Sequence, residues 1–146
     1  MRILVVDDVE EARDVTEAAL MSAGYCDVVT AGSAWEALNI LDVWRPNFDI
    51  VLLDIVIPKM SGIEICARIR KEARYADAPI IMLTSLDDMD SLADAFIVGA
   101  TDYIVNRSLG RNSWRAYRAQ SVLGEADQSV STTNCWPSLP RARARA

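Results

Sequence analysis

Apolar residues fall in short unbroken runs along the first 105 residues, and stretches of helical periodicity separate them. Ile3-Leu4-Val5-Val6 and Ile50-Val51-Leu52-Leu53 carry no polar residue at alternate positions, as expected of strands buried on both faces. The pattern predicts strands over residues 2–6, 27–30, 48–53, 80–84 behind Pro79, and 103–105. Ala12, Val15, Ala19 and Ala23 recur at helical spacing before Gly24, which predicts a helix over residues 10–23. Ser33 can cap a second helix running through residue 41, and Pro46 helps close that connection. Residues 63–72 follow Pro58 and Gly62 and place Ile65, Cys66 and Ile69 on one face, while Asp87 or Asp88 can start a fourth helix running through residue 98. Five strands alternating with helices predict an α/β fold: a five-stranded parallel sheet with helices on both faces.

Against this apolar background, Asp7 and Asp8 end the first strand and Asp54 ends the third. Ligands of such sheets bind beyond the carboxyl ends of the strands, where all three acids fall. Three carboxylates meeting there repel one another and stay ionised only with a cation among them. Hard oxygen donors at a solvent-open site suit Mg²⁺. A single aspartate after a strand is explained well enough as a helix cap; a doublet joined by a distant third acid is not.

Composition narrows the class further. The chain has 146 residues, about one domain, and is 51% hydrophobic and 25% charged, a globular balance. It contains no apolar run approaching the roughly 20 residues of a membrane span, and its N-terminus lacks the features of a signal peptide, so a cytoplasmic location is expected. Cys26, Cys66 and Cys135 are odd in number, widely spaced and unaccompanied by histidine, which argues against a disulfide framework and against zinc. The net charge of -6 conceals an asymmetry: residues 1–106 hold 19 acids and 8 bases, residues 107–146 hold 2 acids and 7 arginines. The acidic body repels a phosphate backbone, so nucleic acid is not expected as a partner, nor is a membrane.

Read together, Val5-Val6-Asp7-Asp8, Leu52-Leu53-Asp54-Ile55-Val56-Ile57-Pro58-Lys59-Met60-Ser61-Gly62, Pro79-Ile80-Ile81-Met82-Leu83-Thr84-Ser85 and Gly99-Ala100-Thr101-Asp102-Tyr103-Ile104 resemble the receiver domain of bacterial two-component response regulators. Each piece alone is weak; their order and spacing make the resemblance specific, over about residues 2–105. It implies a flavodoxin-like doubly wound fold and a phosphorelay function. Asp54 would be the phosphoacceptor, a carboxylate nucleophile phosphorylated by a sensor histidine kinase or phosphotransfer protein. Asp7, Asp8, Asp54 and the backbone carbonyl of Val56 would hold Mg²⁺, which suits a reaction that needs charge neutralisation and in-line positioning. Thr84 would contact the phosphate, Ser85 would offer its backbone N–H, and Tyr103 matches the aromatic that turns inward with the threonine.

The resemblance breaks at the position where the family has a lysine after the fifth strand, because Asn106 stands there and carries no charge. Arg107 follows one residue later, on the opposite side of an extended chain. Residues 107–123 read as a divergent fifth helix, with Trp114 and Tyr117 on one face after Ser113, and residues 124–146 as a disordered tail ending in Arg-Ala repeats. A divergent tail and a shifted reading frame of a GC-rich gene both produce such a change. The leading expectation is a non-enzymatic phosphoryl-accepting switch. The alternative is a phosphorylation-independent interaction or homodimerisation module of the same fold. An aspartyl-nucleophile phosphohydrolase would carry a second acid two residues after Asp54, where this chain has Val56.

Overall fold

The computed structural model describes residues 1–44, 46–85 and 90–105. The apolar runs form strands β1 (Arg2–Val6), β2 (Asp27–Ala31), β3 (Ile50–Asp54), β4 (Ile80–Thr84) and β5 (Asp102–Val105). Between them lie α1 (Glu10–Ser22), α2 (Ala34–Asn39), α3 (Gly62–Lys71) and α4 (Leu92–Ile97). The strands pair in parallel in the order β2-β1-β3-β4-β5, the doubly wound arrangement expected of a flavodoxin-like sheet.

Alternation along the strands sorts the core into two layers. Leu4, Val6, Val51, Leu53, Ile80 and Met82 pack with side chains of α2, α3 and α4, including Ala37, Ile65, Cys66, Ile69 and Ala95. Ile3, Val5, Ile50, Leu52 and Ile81 pack on the other face with Leu20 of α1. Both faces of the sheet are therefore apolar, which is why its strands read as continuous hydrophobic runs.

The helices depart from their sequence pattern in instructive places. In α1 the fully buried residue is Leu20, with Ala12, Thr16 and Ala19 half-buried, whereas Val15 is 59% exposed and Ala23 lies beyond the helix. Thr16 can share the inward stripe because its hydroxyl donates to the Ala12 carbonyl at 2.9 Å and so needs no other partner. Ser33 does cap α2, accepting from the Glu36 N–H, but the α-helix is short and passes into a π-helical turn at Ile40–Trp44. Helix α3 opens on a capping box in which Ser61 and Glu64 satisfy each other's backbone N–H groups. Strand β3 begins at Ile50 rather than at Phe48, which is buried ahead of it. Cys66 is a free, buried thiol, while Cys26 is half-buried and Cys135 lies outside the described residues. Asp87, Asp88, the fifth helix and the tail lie outside the described residues.

At the amino end of the sheet one cation ties several loops together. The Arg70 guanidinium, at the end of α3, donates to the carbonyls of Tyr75, Ala76, Ala78 and Gly99 and to the Thr101 hydroxyl, at 2.6–3.3 Å. Thr101 Oγ1 in turn accepts from the N–H of Ile80 at 3.1 Å, joining the starts of β4 and β5.

Candidate functional site

The in-register pairing of β1 with β3 sets Val6 opposite Leu53, so Asp7 and Asp8, which follow β1, emerge beside Asp54, the last residue of β3. One carboxylate oxygen from each of Asp7, Asp8 and Asp54 lies within 4.8 Å of the others. Asp7 is 5% exposed, and its neighbours Asp8 and Asp54 are half-buried. Burial pushes the Asp7 carboxyl above its ordinary value of 3.8; the Val9 N–H bond opposes this, the Asp8 charge adds to it, and the Arg13 charge opposes it. Two local bonds fix the rotation of the carboxylates: Val9 N–H donates to Asp7 Oδ1 at 2.9 Å, and Val56 N–H donates to Asp54 Oδ1 at 3.0 Å. The donor set, all oxygen and all anionic, fits a hard divalent cation such as Mg²⁺. Without one, the cluster holds like charges against a low-dielectric wall.

Two features shape the β3–α3 loop around Asp54. The Gly62 N–H donates to the Ile55 carbonyl at 2.9 Å, and a Cβ built on Gly62 would sit 1.9 Å from the Asp54 carbonyl oxygen. Only a bare Cα allows helix α3 to start so close to the strand end. Lys59 is the one non-glycine residue at positive φ among the described residues, at 72°, a left-handed conformation that strains an ordinary side chain.

Thr84, at the carboxyl end of β4, is 2% exposed, and its hydroxyl donates to the Ser85 carbonyl at 3.0 Å. Ser85 is half-buried beside it. Tyr103 is half-buried on β5, opposite Met82 in register, and its ring meets Phe96 edge to face at 6.1 Å between centroids. Asn106 lies outside the described residues. The fold thus brings Asp7, Asp8 and Asp54 together and sets Thr84 and Ser85 at the end of the adjoining strand.

The model of the response regulator receiver domain matches residues 3–109. The chain belongs to this family. Among its relatives, a probable transcriptional regulator, ycf27, of Porphyridium aerugineum is 39% identical over 133 residues, 91% of this chain and 52% of that protein. Protein PilG of Pseudomonas aeruginosa is 34% identical over 104 residues, 71% of this chain and 75% of PilG. The chain spans about half the length, or less, of the ycf27 relatives. Among solved structures, the chemotaxis response regulator CheY4 of Vibrio cholerae superposes with a TM-score of 0.71 at 28% identity, covering 82% of this chain and 96% of CheY4. A CheY-like receiver domain protein of Methanospirillum hungatei gives 0.70 at 27% identity, covering 85% and 94%. This receiver domain is a two-component signalling module, and domains of its family are generally not enzymes and use Mg²⁺. No helix among its described residues is long and apolar enough to cross a membrane.

Two residues of this receiver site were not assigned a role from the sequence. Gly62 was visible as part of a motif, but nothing in the sequence showed that it abuts the Asp54 carbonyl. Arg13 gave no signal, since an arginine in the first turns of an acidic helix reads as a solvated charge. In the fold it reaches back and donates from Nη1 to the Asp7 carbonyl at 2.7 Å.

Proposed function

We propose that this domain accepts a phosphoryl group on Asp54 from a sensor histidine kinase or phosphotransfer protein in the cytoplasm, and signals through a conformational change. The observation that carries this reading is the convergence of Asp7, Asp8 and Asp54 at the carboxyl ends of β1 and β3. An Asp54 carboxylate oxygen attacks phosphorus in line; the new O–P bond forms as the donor's P–N bond breaks, and the electron pair leaves with the imidazole nitrogen. Mg²⁺, held by Asp7, Asp8, Asp54 and the Val56 carbonyl, would neutralise charge on the transferring group. The Val56 N–H holds one Asp54 oxygen and thereby orients the nucleophile. The Thr84 hydroxyl leaves the Ser85 carbonyl to donate to a phosphate oxygen, with the Ser85 N–H close by, and Tyr103 turns inward into the space vacated.

The alternative is a phosphorylation-independent interaction or homodimerisation module, and the residue that favours it is Asn106, which places no ammonium at the family's lysine position. Incubation with Mg²⁺ and acetyl phosphate, followed by intact mass beside an Asp54→Ala control, separates the two. We expect one phosphoryl group on the parent and none on the control. A parent that binds Mg²⁺ but gains no mass would favour the non-switching module.

A further inference from the structure

Arg13 has a built seat rather than a free surface. Its Nη1 lies 2.7 Å from the Asp7 carbonyl oxygen. Its guanidinium also covers the backbone of Gly32, in the loop between β2 and α2: a Cβ there would lie 3.0 Å from Nη1, 3.3 Å from Cζ and 3.4 Å from Nη2. Gly32 is itself held, because its N–H donates to Glu36 Oε2 at 2.7 Å. The Asp7 N–H donates to the Ala31 carbonyl at 3.1 Å, so Asp7 and Gly32 are also linked through the end of β2. Three segments therefore meet at one side chain: the end of β1, the start of α1 and the loop after β2.

We propose that Arg13 is a positioning residue for the metal-binding acids. By bonding the main-chain carbonyl of Asp7 it fixes the backbone from which Asp7 and Asp8 project. It brings a positive charge beside Asp7 and bonds the main-chain carbonyl rather than a carboxylate oxygen that a cation would need. A lysine could supply charge but not the planar fork that lies along the glycine backbone. The proposal rests on reading the acidic cluster as a Mg²⁺ site.

The test compares the parent chain with Arg13→Met, Arg13→Lys and Gly32→Ala. Mg²⁺ binding is measured by titration calorimetry, and phosphorylation by acetyl phosphate is followed as a function of Mg²⁺ concentration. Loss of an outer partner of a metal ligand typically costs tenfold or more in metal affinity. We expect Arg13→Met to raise the Mg²⁺ dissociation constant and the half-saturating Mg²⁺ concentration together, by about tenfold, with the rate at saturating Mg²⁺ close to that of the parent. Arg13→Lys should recover part of the loss. Gly32→Ala, which crowds the guanidinium without removing it, should shift both quantities in the same direction by a smaller factor and carries the test if Arg13→Met fails to fold. Unchanged Mg²⁺ affinity in Arg13→Met and Gly32→Ala, or a fall in the saturated rate at unchanged half-saturation, overturns the positioning role. A parent that binds no Mg²⁺ overturns the site reading itself, and the inference with it; that result is seen in the parent alone.

Discussion

The two ends of the sheet handle charge in opposite ways. At the amino end the Arg70 guanidinium meets four carbonyls and a hydroxyl, so the cation and the loop oxygens satisfy one another. At the carboxyl end three acids crowd together, the most buried of them held against its preference for solvent, and the β3–α3 loop that follows carries a lysine in a left-handed conformation. The first arrangement is complete as it stands; the second is an all-oxygen, all-anionic donor set that fits a hard cation. Compensated charge and crowded like charge thus sit at opposite ends of the strands.

Removing each end's central feature should expose this contrast most clearly. Arg70→Ala removes the side-chain donor from the partly buried Ala78 and Gly99 carbonyls and should cost about 3 kcal/mol in urea unfolding, while the folded protein binds Mg²⁺ as the parent does. Gly62→Ala should cost about 2 kcal/mol by forcing the Asp54 carbonyl and the start of α3 apart, and should also weaken Mg²⁺ binding in calorimetry. If Arg70→Ala weakens Mg²⁺ binding as much as Gly62→Ala does, the two ends are not independent.

Titration offers a subtler break. Because burial raises the Asp7 carboxyl in the folded chain, the folded state holds that proton more tightly than the unfolded one. Its contribution to stability is full below the ordinary aspartate value and is lost as pH rises through the raised folded value. Without Mg²⁺, Asp7→Asn should therefore unfold at higher urea than the parent at neutral pH, and the difference should shrink as pH falls through that window. Adding Mg²⁺ should stabilise the parent and leave the variant unmoved. The smallest effect belongs to Lys59→Gly. Relief of the left-handed backbone, about 1–2 kcal/mol, is offset by the entropy glycine gains on unfolding, for a net gain of about 0.5 kcal/mol in thermal or urea melts. A loss of stability instead would show that Lys59 makes a contact worth more than the strain.

The central strands β1, β3 and β4 were legible because nearly every residue in them is buried, and α3 because its inward face is: Ile65, Cys66 and Ile69 face inward where the spacing puts them. Helix α1 was less so, since its one buried residue is Leu20 and its inward stripe includes Thr16, which satisfies its own hydroxyl on the helix backbone. The acids Asp7, Asp8 and Asp54 could be nominated from their places at strand ends. Arg13 and Gly62 could not be given roles, because each acts on the main-chain carbonyl of an aspartate and leaves no mark in residue type or spacing.

The sequence by itself determined that five strands alternate with helices and that two of the central, buried ones lead into acids, since burial on both faces demands unbroken apolar runs and polar groups can appear only where those runs stop. Tertiary structure alone decided that β1 lies beside β3 in a register that sets Asp7 and Asp8 against Asp54. It also decided that Arg13 seats on Gly32 and that Arg70 gathers the loops at the far end. Those contacts join residues far apart in the chain through backbone atoms common to every residue, and only the packed fold specifies which backbone atoms meet.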